Sequence, residues 1–328
     1  MSAQEETTVT TEGASFRGLA LAIAGLLWMA GLLWSARATI TGRSDVYMEV
    51  TSTAYALPGA LSASLIAGAA VALAVVGLIG RRRALGATAR FAVAIGAGLL
   101  LGVLGALVML TINTEGWVYA VVAGSIAAAA TIGGALGGIR PPRVVAAVCW
   151  AAILVFLVGV LLTFAQGVLF GMFGAGDSPA SQVGAANGYS LTQAVLSGVA
   201  AGILVYRMLR TSGLRWTWFA AAGAGPGLLL VVGEVLTRTA GARVLDLAGR
   251  VSELEKTVQQ MLSGARLNSA MIILFVGAIT ATIAVGRTLK PAAPAPPAPP
   301  PSSPASDPAS PAPSASPAGE ASPKVVPE

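Results

Sequence analysis

The sequence predicts an all-α fold, a polytopic integral membrane bundle of about eight transmembrane helices. Three observations predict it. Eight stretches of about twenty residues are continuously apolar. None of them alternates with the two-residue period of a barrel strand. The connections on one side of them carry arginine without any acidic residue. Composition agrees: 55% of the 328 residues are hydrophobic and 10% charged. The mean hydropathy of +0.78 lies outside the usual range of soluble domains.

A hydrocarbon core about 30 Å thick is crossed by roughly twenty residues of helix. The runs fall at 17–37, 58–80, 90–112, 117–139, 143–166, 190–210, 215–237 and 268–288. With no water in lipid, each must close its own backbone hydrogen bonds, as a helix does. Ala36-Arg37-Ala38 resembles a signal-peptidase site. However, Glu5, Glu6 and Glu12 make the segment before the first run a poor leader, and that run reads as a retained span. Residues 1–16, rich in Thr and Glu, read as a disordered cytoplasmic segment. Residues 17–290 form the membrane domain.

Orientation follows from the short connections. Arg81, Arg82, Arg83, Arg90, Arg140, Arg143, Arg207, Arg210, Arg215, Arg287 and Lys290 occupy one side with no Asp or Glu. The other side mixes Asp45, Glu49, Glu115, Asp177, Asp246, Glu253 and Glu255 with bases. The purely basic side is therefore expected in the cytoplasm, with both termini. The net charge of +6 is mostly this signature, and it argues for contact with the lipid bilayer rather than with nucleic acid. Arg far outnumbers Lys in an Ala/Gly-rich chain. That is the style of a GC-rich bacterial coding sequence, and it suggests a plasma membrane location.

Inside the spans, Gly98 and Gly102, Gly133 and Gly137, Gly198 and Gly202, and Gly223 and Gly227 are each four apart. Such pairs share a helix face and let a neighbouring backbone approach, which reads as compact bundling within one chain. Arginines recur at the starts of odd spans and the ends of even ones. A duplicated hairpin would produce this, but so does positive-inside charge alone. The apolar residues between them match only loosely.

The chemistry is mostly exclusion. There is no histidine, which removes imidazole acid–base catalysis, Ser-His triads and His-ligated metals. The lone Cys149 sits in an apolar run and reads as a small buried hydrophobe. Gly174-Ala175-Gly176-Asp177 resembles the Gly-x-Gly-Asp motif of intramembrane aspartyl proteases. Those enzymes need two intramembrane carboxylates; here no predicted span contains an aspartate, so the motif reads as a turn. The chain reads as non-catalytic, and nothing in it implies a cofactor or a metal.

Three features remain. Glu234 is the only carboxylate within a predicted span, and intramembrane charge is expensive. It lies nineteen residues, or about 28 Å, beyond Arg215. Arg238 follows at i+4, so a structural ion pair near the outer interface is expected. Pro226, within Gly223-Ala224-Gly225-Pro226-Gly227, removes a backbone donor and predicts a kink. Third, Val244, Leu247, Val251, Leu254, Val258 and Met261 occupy heptad a and d positions in an outer helix at 243–263, expected to continue from span seven. This is a candidate seam for self-association or a membrane-protein partner through 244–262. The tail 291–328 holds most of the 19 prolines, between Ala and Ser, and reads as disordered.

Taken alone, these features favour a non-catalytic scaffold or assembly subunit that contacts partners through the outer helix and the tail. The alternative is a small-solute or lipid transporter or channel with a path near the Pro226 kink and Glu234.

Overall fold

A computed structural model describes residues 2–41, 46–111, 117–174, 176, 178–239, 242 and 253–288. The description excludes the side chains of 2–17, 39–41, 46–50, 117, 118, 179, 253 and 255. Among the described residues there is no strand, and the helices are α1 (Ser2–Thr41), α2 (Val46–Arg82), α3 (Ala87–Leu110), α4 (Trp117–Gly137), α5 (Pro142–Phe164), α6 (Gln166–Met172), α7 (Pro179–Leu209), α8 (Trp216–Thr239) and α9 (Glu253–Gly286). All but the short α6 are long and apolar enough to cross a membrane, which makes eight candidate spans.

The outer surface of the bundle is what lipid requires. Leu100 is 69% exposed on α3, Phe164 85% on α5 and Phe275 56% on α9, each among other exposed aliphatic side chains. In water such a surface would drive aggregation; in a bilayer it faces hydrocarbon. The chain is a multi-pass membrane protein whose helices contact lipid.

The interior divides into two groups of four spans. In the first, α4 packs on α3 and α2, and α2 on α1. In the second, α9 packs on α8 and α7, and α7 on α5. The same three pairings, third on fourth, second on fourth and first on second, dominate each group. Glycine contacts between third and fourth spans correspond as well: a Cβ at Gly98 would meet the Gly134 backbone, and one at Gly223 would meet that of Gly277. The packing therefore recurs with a period of four spans rather than two. One core lies around Leu61, Leu65 and Ile126 and takes in Cys149, Ala152 and Leu229 of the second group; the other lies around Ala147, Ala201 and Val205 within the second group. The groups meet where α2 lies against α8 and α5, and α1 against α5.

The four glycine pairs singled out from the sequence all lie at helix contacts. Gly98 and Gly102 meet α4, Gly133 and Gly137 meet α2, and Gly198, Gly202, Gly223 and Gly227 meet α9.

Several spans are longer than apolar runs alone predict. The second candidate span begins at Thr51 rather than 58, the sixth at Ala180 rather than 190, and the eighth at Lys256 rather than 268. Hydropathy stops at polar residues, but a helix continues wherever they can be buried or satisfied locally. Ser52 and Thr53 are buried in α2. Further along α2 and in two other spans, the hydroxyls of Ser64, Ser125 and Thr237 donate to the carbonyl four residues back. The connection 167–189 also contains more helix than its composition suggests: α6, then a start of α7 capped by the Ser178 side chain, which accepts from the Ser181 amide. Phe170 folds back onto Tyr189 with ring centroids 5.6 Å apart. Near the N-terminus α1 is helical from Ser2, where composition suggests irregular chain. Extending an already nucleated helix costs little.

The heptad segment divides. Val244, Leu247 and Val251 lie outside the described residues, as do Asp177 and the tail 291–328. Leu254, Val258 and Met261 form the first turns of α9, continuous with the eighth span. Their join to span seven lies outside the described residues.

Candidate functional site

Between the two groups lies a cavity of about 530 Å³, within the range of small-molecule sites. It is ringed by six helices that touch in sequence: α1, α5, α7, α9, α8, α2 and back to α1. The lining residues occupy the part of each span from its middle to the end away from the purely basic connections, whose side is the arginine end of the bundle. Thr163, Leu262 and Ala265 are exposed at that end. Toward the arginine end the ring closes by direct packing. Val148 of α5 fills the space over Gly225 of α8, and Cys149, Ala151 and Ala152 are fully or almost fully buried.

The site is built up along α8. Glycines at 223, 225 and 227 bring this helix against α9 and α5, with the buried Pro226 among them inside one continuous helix. Leu230 and Glu234 follow at four-residue intervals on the same face and line the cavity. One residue before Leu230, Leu229 joins the first core cluster instead. Gly233 lies against Ser62 of α2, tying the two groups together at this depth.

Glu234 is 4% exposed, and its carboxylate accepts from three donors. Arg238 Nε donates to Oε1 at 3.2 Å, and Arg266 Nε donates to Oε2 at 3.0 Å. The Ser263 hydroxyl also donates to Oε1. The i+4 pair with Arg238 stays within α8, but Arg266 and Ser263 come from α9, so the cluster clamps two helices. A buried carboxylate without such partners would cost several kcal/mol. Two guanidiniums against one carboxylate leave the cluster with a net positive charge. Because Arg266 spends only Nε on Glu234, its two terminal nitrogens have no partner among the described residues while the residue lines the cavity.

The remaining walls are amphipathic. Ser190, Gln193 and Ser197 on α7 face Ser269 on α9, with Ser190 and Ser269 hydroxyls 3.3 Å apart. Leu32, Phe156, Val160 and Ile273 supply apolar surface. Trp28 stacks on Phe156, ring centroids 5.2 Å apart, joining α1 to α5. Its indole N–H is buried with no hydrogen-bond partner, a cost of about 1–3 kcal/mol in this conformation. A second hollow between α1 and α2 shares Leu32 and Gly59 with this cavity.

Sequence reasoning reached Glu234, Arg238 and Pro226, and the structure brings the first two together. Arg266 and Ser263 were missed because the eighth apolar run starts after them. A signal was present: Ser190, Gln193 and Ser197 recur at helical spacing, as do Arg266 and Ser269. Comparison with known proteins finds no matching family, no matching curated protein and no matching solved structure.

Proposed function

We propose that the protein is a membrane carrier that takes a small amphiphilic molecule into the cavity between its two four-span groups. The observation that carries this reading is the one-sided cavity: reachable at one end, closed at the other, and walled by both groups. Carriers built from parallel repeats place their site at the repeat interface and move one repeat against the other. The recurrence of the same helix pairings in both groups supports that comparison. With the arginine end in the cytoplasm, the conformation described is the outward-facing one. The geometry thus favours the transporter over the scaffold that sequence alone favours.

The ligand should survive purification. Mass spectrometry of small molecules extracted from mildly solubilised protein is expected to find an amphiphile near one per chain. Ala265→Trp, which fills the cavity mouth, should exclude it. Identical extracts from both proteins would overturn the reading.

A second reading keeps one supporting observation. Leu254 and Met261 are 73% and 68% exposed at the start of α9, as a partner-binding seam would be. Changing both to Glu should lower the solubilised mass if that seam joins copies of the chain. An unaltered mass removes this reading and leaves the carrier untouched.

A further inference from the structure

We infer that the ligand of this cavity is an amphipathic anion, its carboxylate or phosphate held by Arg266 and its apolar body laid against Phe156 and Ile273. This deepens the carrier reading and rests on it. Arg266 is the charged group facing the cavity with unspent hydrogen-bonding capacity. Its Nε is committed to Glu234 at 3.0 Å, which fixes the guanidinium plane and leaves the two terminal nitrogens to offer a paired donor edge. Paired donors of this kind suit carboxylate and phosphate oxygens. Glu234 does not oppose an anion there, because its own oxygens are saturated by Arg238, Arg266 and Ser263. The cluster remains positive by one charge.

A cationic ligand is disfavoured by the same count. Among the described residues, Glu234 is the only acidic one lining the cavity, and it has no remaining attraction to give. Ser269 lies three residues beyond Arg266 on the same face of α9. Its hydroxyl is already shared with Ser190, so both are placed to complete an oxygen-rich headgroup site. Below them Phe156 of α5 and Ile273 of α9 give an apolar wall, while Gln193 and Ser197 keep the α7 side polar. A short tail fits this space and a bare inorganic ion does not fill it.

The test is equilibrium binding to the full-length protein in a nonionic detergent, with five probes. These are octanoate, octyl phosphate, octyltrimethylammonium, octanol and inorganic phosphate. Octanoate and octyl phosphate should bind, the cation and the bare phosphate should not, and octanol should bind weakly. Arg266→Gln should weaken both tailed anions by about tenfold or more while leaving octanol unchanged. Arg266→Lys should retain part of the loss, since a point charge remains without the paired edge. Ala265→Trp should abolish binding of every tailed probe. It does so without touching the charged cluster, so the site can be assessed even if Arg266→Gln folds poorly.

Preferential binding of octyltrimethylammonium would overturn the anion assignment and leave the carrier reading intact. Equal binding of inorganic phosphate would overturn the amphipathic part. Anion binding indifferent to Arg266→Gln would place the headgroup elsewhere and sink the inference. No binding of any tailed probe, together with identical extracts in the mass-spectrometry comparison, would remove both readings at once.

Discussion

Glu234 is the residue on which local stability turns. Its carboxylate holds α8 to α9 through Arg266 and Ser263, and removing it leaves two guanidiniums with nothing to neutralise them. The two guanidiniums are 45% and 33% exposed and keep part of their hydration, so the loss is that of charge-assisted hydrogen bonds, roughly 1.5–3 kcal/mol. Glu234→Ala should therefore lower the thermal midpoint of the solubilised protein sharply. Arg238→Ala should matter much less, because Arg238 is 45% exposed and Glu234 keeps its α9 partners. The reverse order would mean that the clamp lies within α8. Trp28 makes the opposite case. Its indole N–H is buried without a partner, so Trp28→Phe keeps the stack on Phe156 and removes an unsatisfied donor. That variant should match or exceed the parent in thermal stability by about 1 kcal/mol. A large loss would show that the N–H has a partner after all.

At the scale of the helix, packing depends on glycine where two backbones touch. A side chain at Gly277 would run into the Gly223 carbonyl, backbone against backbone, which no rotamer change relieves. Gly277→Val should cost at least 1–3 kcal/mol, roughly the range for overpacking, and should sharply reduce the folded yield. Gly77 is the control: nothing lies within 4 Å of a Cβ built there. Gly77→Ala should be neutral or stabilising by up to about 1 kcal/mol through helix propensity. Equal effects at the two positions would refute the packing scheme. These elements were largely legible from sequence, since apolar run length and arginine spacing locate every span, and the four-residue glycine spacing marks the contact faces. The helix ends were not. Thr51, Ala180 and Lys256 begin spans in polar sequence that a hydropathy window discards. Whether a serine faces lipid or a neighbouring helix depends on tertiary contacts that no window contains. Arg266 was lost to the site for the same reason.

At the scale of the whole molecule, two four-span groups with the same pairings enclose a cavity that belongs to neither. That arrangement was not legible from sequence, because the duplicated feature is a set of packing partners rather than a string of residues. Similar glycine contacts at Gly98–Gly134 and Gly223–Gly277 arise in spans whose apolar residues differ. An even number of spans also predicts that reporters fused at Met1 and Glu328 read the same compartment, on the arginine side. Readings from opposite compartments would require an odd number of crossings.

The central claim is that the cavity is offered to each face of the membrane in turn. The lone cysteine, Cys149, is buried, so Gln193→Cys in a Cys149→Ala background places a single reactive thiol on the cavity wall. In oriented vesicles, a membrane-impermeant maleimide should label it rapidly from the face away from the arginines. It should label more slowly from the arginine face as the groups rock. Labelling confined to one face, or absent from both, would contradict the account.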